Sequence, residues 1–318
     1  MIKKVPIPTA GVMLGLVALG NLLAPYSMNV KYICGILSAL FGVLLLAKII
    51  IYPQLIKNDM NGNSIFASVS ATFFMSIMQL CTYTAPFAPL SSEIVWFAAI
   101  IMQFALMLWF TWKYIRNFKL KEVFPTYFIA YVGIVVASVT SPAFSQQALG
   151  EAIFWFGFVM YAVMFVLVTL RYCRHAVAEG AKPLFCIYTA PMSLSLAGYL
   201  ACVEDKSLLM VIAMEIAAQV LLLVVLSQMP KLLALPFYPS YAAFTFPFVI
   251  TAIALRQTIV YLHSLDIYVS PLLEYIAAAE TVIAVAIVFY VAARYAVFFW
   301  HNLAAALHRA EETAPITK

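Results

Sequence analysis

Ten runs of mostly apolar residues follow one another along this chain, at Pro8–Leu23, Val30–Ile56, Ser64–Tyr83, Glu93–Ile115, Pro125–Ser141, Glu151–Tyr172, Pro183–Cys202, Leu208–Pro230, Pro239–Leu262 and Val269–Trp300. A helix crosses the hydrocarbon core of a bilayer in about 20 residues, and little polar sequence is left between the runs for a soluble unit. With 65% hydrophobic and 10% charged residues over 318 positions, the chain holds more apolar surface than a soluble domain can bury. The expectation is an all-α integral membrane protein, a single domain over residues 1–318, with a short cytoplasmic tail from about 301. The opening Met1-Ile-Lys-Lys is not followed by a short apolar run closed by a small-residue cleavage site, so the first run is expected to be a retained span and not a signal peptide.

The net charge of +5 raises the question of nucleic acid, but its distribution answers otherwise. Lys3, Lys4, Lys48, Lys57, Lys113, Arg116, Lys119, Lys121, Arg171, Arg174, Lys182, Lys231, Arg294, Arg309 and Lys318 all fall on one side of a ten-span topology. Lys31 and Lys206 fall on the other side, and Arg256 lies inside the ninth span. Cytoplasmic loops are enriched in Lys and Arg, which predicts a multi-pass protein of the plasma or inner membrane with both termini in the cytoplasm. Cys34, Cys81, Cys173, Cys186 and Cys202 stand singly, without a CxxC pair, and read as small apolar residues.

The spans repeat in pairs. Odd spans are short and begin with proline or a polar residue; even spans are long and run into the basic loops. Aligning the odd spans puts Gly15, Phe73, Val132, Ala190 and Phe246 in one register, at spacings of 58, 59, 58 and 56. Thr72, Tyr131, Thr189 and Thr245 precede these positions; Leu16, Phe74, Gly133, Pro191 and Pro247 follow them. A period that contains two spans brings every repeat into the membrane in the same direction, so the repeats surround an axis along the membrane normal. The expected fold is an inner ring of five short odd helices around a pore, inside an outer ring of five long even ones. Pro247 removes a backbone hydrogen bond, which predicts a kink near Phe246; Gly133 and Pro191 mark the same step in their own repeats.

Three stretches carry a family resemblance: Pro6-Ile-Pro-Thr-Ala-Gly-Val-Met-Leu-Gly-Leu-Val-Ala-Leu-Gly-Asn21, Phe124-Pro-Thr-Tyr-Phe-Ile-Ala-Tyr-Val-Gly-Ile134 and Phe244-Thr-Phe-Pro-Phe248. Together with the ten spans they resemble the tellurite-resistance/dicarboxylate transporter family, which includes the bacterial TehA proteins and the plant guard-cell slow anion channels. The resemblance implies a homotrimer whose protomers each hold a pore, lined by the odd helices and occluded by a phenylalanine of the ninth span, here Phe246. The third span departs from the family pattern, with Thr72-Phe-Phe-Met75 where relatives often carry a proline. Phe74 in that place predicts a straighter third helix and a second ring, Phe73, in the pore.

A phenylalanine on a membrane helix commonly faces lipid or core; the adjacent proline and the resemblance point instead to Phe246 as a gate. Gly15, Val132, Ala190, Thr72 and Thr245 are the expected lining of the constriction. An intramembrane charge is costly and is usually paired or faces a cavity. Arg256, about 25 Å along its helix from Pro239, is therefore expected either to pair with Glu274 or to attract anions at the outer vestibule. Glu151, Glu215 and Glu280, on even spans, are candidates for helix contacts, subunit contacts or proton coupling. His175, His263, His301 and His308 show no metal-ligand grouping, and no metal or cofactor is expected.

Three classes of function follow. The first is a channel for small monovalent anions such as chloride or nitrate, passing an apolar constriction that gates by bulk and dewetting. The second is a secondary transporter of dicarboxylate, sulfite or tellurite-type oxyanions, which calls for cations converging at the midplane. An enzyme is not expected, because no acid/base, nucleophile or metal constellation is present. The expected partners are small inorganic anions, the lipid bilayer and two further copies of the chain.

Overall fold

The structure, a computed structural model, describes residues 2–312. Met1 and residues 313–318 lie outside the described residues, and with them the end of the expected tail. Among the described residues every regular element is helical. Eight helices are long and apolar enough to cross a membrane, and two further apolar stretches, Thr9–Leu23 and Gly133–Phe144, are shorter. The chain is an all-α, multi-pass membrane protein.

Helix α1 (Thr9–Leu23) leads into α2 (Met28–Ile51). Pro53 then ends that run early: the residue before a proline is pushed out of the helical region, and Tyr52 sits at φ −130°, ψ 54°. A polar helix, α3 (Pro53–Gly62), follows where the sequence suggested a continuing span. The second hairpin is α4 (Ser64–Val69) with α5 (Ala71–Thr84), returning through α6 (Pro89–Phe110) and a π turn at Thr111–Ile115. The third odd span is fragmented into α7 (Thr126–Tyr131), a 3-10 turn at Gly133–Val135, α8 (Val136–Thr140) and a 3-10 turn at Ser141–Phe144; α9 (Gln147–Arg174) returns. In the fourth and fifth hairpins a 3-10 stretch precedes the α-helix. Glu179–Thr189 leads into α10 (Ala190–Cys202) and back through α11 (Leu208–Leu233). Pro239–Phe244 leads into α12 (Phe246–Ser264), and α13 (Pro271–Glu312) closes the fold.

The inner elements form a closed ring. Helix α1 packs on α5, α5 on α8, α8 on α10, α10 on α12, and α12 returns to α1. Each long even helix packs outside the odd partner of its own hairpin. Burial separates the two shells: the odd spans Ser64–Thr84, Glu179–Cys202 and Pro239–Ser264 are 56%, 78% and 72% buried, whereas the even spans are 28–33% buried. The even helices turn their remaining Leu, Ile, Val, Phe and Trp side chains outward, to lipid or to another protein surface.

In the fifth, seventh and ninth spans the helix type changes at the aligned level, beside Val132, Ala190 and Phe246. In the fifth hairpin Thr245 leaves the helical region (φ −84°, ψ −84°), and Phe246 and Pro247 begin α12. A proline in the first helical turn costs nothing, because its missing N–H would be unbonded there in any case. Pro191 takes the same place in α10. The 3-10 rise of about 2.0 Å per residue stretches Glu179–Thr189 over about 22 Å, against about 16 Å as α-helix. The first span is continuous, and the third is nearly straight, in keeping with Phe74 in place of a proline: its one interruption, Ser70, keeps helical dihedrals.

Thr245 holds the fifth break in place. Its hydroxyl lies 2.9 Å from the carbonyl of Gly11 and 2.7 Å from that of Ala242, so one side chain ties the break to α1. The approach needs Gly11, since a Cβ there would meet the Ala242 methyl at 3.0 Å. Thr245→Val keeps the shape and removes both side-chain hydrogen bonds, a net cost of about 0.5–1.5 kcal/mol for each. The expected result is a lowered thermal midpoint for the detergent-solubilised protein, restored by Thr245→Ser.

Candidate functional site

The inner ring encloses a cavity of about 320 Å³ along its axis. Its wall comes from the odd spans and their leading turns. Asn63, Ala178, Gly180, Tyr238 and Pro239 stand at the mouth, on the side where the odd spans start. The deepest lining residue of each span is Leu14 on α1, Met75 on α5, Gly133 beyond α7, Leu194 on α10 and Pro247 on α12. The cavity is a vestibule that ends at these side chains and Phe246, partway through the ring.

The lining follows a period of three. Pro8, Gly11 and Leu14 line it from the first span, and Phe66, Val69, Thr72 and Met75 from the third. Ala178, Ala181, Leu184, Ile187 and Ala190 do so from the seventh, and Ser240, Ala243 and Phe246 from the ninth. A 3-10 helix superposes residues i and i+3, so the stretches before α10 and α12 present one straight stripe to the axis. On the α-helical spans the same step falls about 60° short of a full turn, so the wall there winds around the helix.

Phe246, Val132, Ala190, Thr72, Gly133, Pro191 and Pro247 thus all stand at the vestibule. Three other expected residues, Gly15, Phe73 and Thr245, do not. Successive residues of an α-helix are turned by about 100°, and Gly15 and Phe73 lie one place past the lining positions Leu14 and Thr72. Gly15 faces the Thr245 side chain, with no room for a Cβ, and serves helix packing. Phe73 stacks edge-on against Phe74 in a separate hollow with Ile7, Leu45, Ile49 and Trp109, on the flank between α2 and α6. The second phenylalanine ring expected in the pore is therefore absent from the vestibule. Thr245 is fully buried behind the lining and acts through its carbonyl contacts.

Arg256 does not pair with Glu274. Its Nε donates to the hydroxyl of Thr281 at 3.1 Å, and the guanidinium lies over the Tyr26 ring and donates to its hydroxyl. This group occupies a lateral hollow between α1 and α13, outside the vestibule. Glu274 sits instead 3.5 Å from His263. Glu215 accepts from Gln219 at 2.8 Å and from Thr258 of α12 at 3.0 Å, a contact between neighbouring helices; Glu280 is buried on α13. Glu151 meets its own helix neighbour Trp155. Two basic residues that read as topology signals are buried: Lys48 bonds the Val5 carbonyl and Asp59, and Arg171 bonds the carbonyls of His175 and Ala176. Four of the cysteines are buried and Cys173 is exposed.

The polar groups of the vestibule offer few free donors. The hydroxyl of Thr72 donates to the Val69 carbonyl at 2.6 Å, that of Ser240 to the Gly180 carbonyl at 2.6 Å, and that of Tyr238 to Glu179 at 2.8 Å. No acidic or basic side chain lines the cavity among the described residues. Nor do three His, Cys, Asp or Glu side chains converge anywhere among them.

A ring of broken helices around a neutral, apolar, axial vestibule defines a membrane pore or carrier. A sequence profile of the voltage-dependent anion channel family matches residues 4–296, and the chain belongs to that family, whose members are anion channels and transporters. No curated protein sequence matches it.

A cysteine scan from 178 to 190 tests the period-three wall. Thiol reagents applied from the side of the mouth are expected to react fastest at 181, 184 and 187 and slowly between them. Phe73→Cys is expected to resist reagent in the vestibule.

Proposed function

We propose that the chain conducts small monovalent anions, such as chloride and nitrate, along the axis of the inner ring, and that Phe246 occludes this path. The observation that carries the reading is the floor of the vestibule. Phe246, Leu14, Met75 and Leu194 reach the axis from four different helices at the point where the cavity ends. An ion can pass only if these side chains move, and an apolar constriction of this kind also resists ions by dewetting. Phe246 is the largest of them and stands on the break. The 3-10 stretches that lead into α10 and α12 begin at the mouth, so the positive ends of these helical dipoles face the vestibule entrance. That polarity favours anions without a fixed cation.

On the same reading the mouth opens to the cytoplasm of a cell with both termini inside, and ten spans cross its plasma or inner membrane. Three copies associate through their outer helices, each with its own pore. A wall without cationic side chains suits an ion of single charge better than a dicarboxylate. The second reading, a carrier of dicarboxylate, sulfite or tellurite-type oxyanions, draws on one observation: the vestibule reaches only one face, as an inward-open carrier's would.

Bilayer recording of Phe246→Ala beside the wild type distinguishes the two. The expected outcome is a chloride and nitrate current at least tenfold above wild type, with little malate current. Silence in both proteins, alongside saturable oxyanion uptake into vesicles, would replace the channel by the carrier.

A further inference from the structure

Helix α6 belongs to the outer shell, and its inward stripe is Ser92, Trp96, Ala99, Gln103, Met107 and Phe110. In the middle of that stripe Gln103 is fully buried, and neither end of its amide has a hydrogen-bond partner among the described residues. A buried amide without partners costs several times the net worth of an ordinary hydrogen bond, and nearly all such groups in folded proteins are satisfied. Its surroundings are specific. A Cβ placed on Gly133 would meet the Gln103 Nε2 at 3.2 Å and the Met75 Sδ at 2.7 Å. Gly133 and Met75 both line the vestibule at its deepest level. The amide therefore lies directly behind the floor, at the one deepest lining position without a side chain, and is screened by a flexible thioether.

The hydroxyls close to this level are committed elsewhere. Thr72 donates to the Val69 carbonyl, Ser76 to that of Thr72, and Thr245 to those of Gly11 and Ala242. An anion that sheds water to cross the floor meets apolar side chains and, among these polar groups, one uncommitted donor pair, the NH2 of Gln103.

We propose that Gln103 is an anion ligand of the pore: when Met75 swings aside, its amide reaches past Gly133 and donates to the partly dehydrated ion at the constriction. Gly133 is then a window as well as a break in the helix. The inference rests on the pore reading above and names the group that selects the ion within it. It predicts that the amide raises the permeability of chloride, the stronger hydrogen-bond acceptor, relative to weakly hydrated ions such as thiocyanate.

The test uses Phe246→Ala as parent, so that current is measurable, and adds Gln103→Leu or Gln103→Asn. Reversal potentials under bi-ionic conditions give the permeability of chloride relative to thiocyanate. Gln103→Leu is expected to lower that ratio about tenfold, the effect of one hydrogen bond to a charged group. Gln103→Asn, which retains the amide on a shorter arm, is expected to lie between. The thermal midpoint of Gln103→Leu should be unchanged or raised, because an unpartnered amide is replaced by an apolar group; a purely structural glutamine would give a lowered midpoint and an unchanged ratio. Unchanged ratios in both variants overturn the proposal.

A silent parent counts against the pore reading alone. The ligand is then judged on solubilised Phe246→Ala protein, by the rise in thermal midpoint on replacing gluconate with nitrate. Loss of that rise in Gln103→Leu supports the site, and an equal rise in both proteins, or none in either, refutes it.

Discussion

Inside a bilayer every backbone N–H and C=O must find a partner within the protein or in enclosed water, and the inner ring of this molecule is shaped by that requirement. Four of its five odd spans are interrupted, and at each interruption a proline, a turn or a change of helix type weakens the backbone ladder. Serine and threonine hydroxyls add further bonds to the carbonyls around these breaks. Thr251 bonds the carbonyl of Pro247 at 2.9 Å, Ser195 that of Pro191 at 2.7 Å, Ser193 that of Thr189 at 2.9 Å and Thr245 that of Gly11. The 3-10 stretches close the remainder with tighter turns. The ring can then be irregular and still stand at membrane depth.

The same economy of donors sets the character of the vestibule. Hydroxyls that serve the backbone are not offered to the axis, so the wall is apolar in effect even where its sequence is not. Thr72 and Ser240 line the cavity, yet their hydrogens point to Val69 and Gly180 carbonyls. Charges are likewise kept away from the path. Arg256 turns to Tyr26 and Thr281 on the flank, and Arg171 is folded against its own loop. What remains along the axis is the field of helix ends and side-chain bulk.

The sequence made the two shells legible, because hydropathy marks spans and the recurrence of Gly and Pro marks one level in successive hairpins. The same recurrence singled out Val132, Ala190 and Phe246, which line the vestibule. It misplaced Gly15 and Phe73 because a repeat aligned on its glycine and aromatic positions carries no information about rotation, and one residue of slip turns a helical side chain by about 100°. The clue that fixes rotation is the period of three in Ala178, Ala181, Leu184, Ile187 and Ala190, a pattern that hides among ordinary apolar residues. Leu14, Met75 and Leu194 escaped notice as common core residues. Gln103 stands in an outer helix, and only its lack of partners, a property of the fold, sets it apart.

On the proposed reading, the position of Phe246 says how such a gate moves. It is the first residue of α12, and the residue before it is fixed to α1 and to its own 3-10 turn through the Thr245 hydroxyl. Pro247 restricts the backbone on its other side. A shift of the whole helix would have to break the Thr245 contact and disturb the close approach of Gly11 to Ala242. Rotation of the phenyl ring about its side-chain bonds breaks neither. Met75, opposite, is an unbranched side chain with three rotatable bonds. The floor therefore opens most cheaply by rearranging side chains against a fixed backbone, and the breaks that make the inner ring irregular are also what hold its constriction in register.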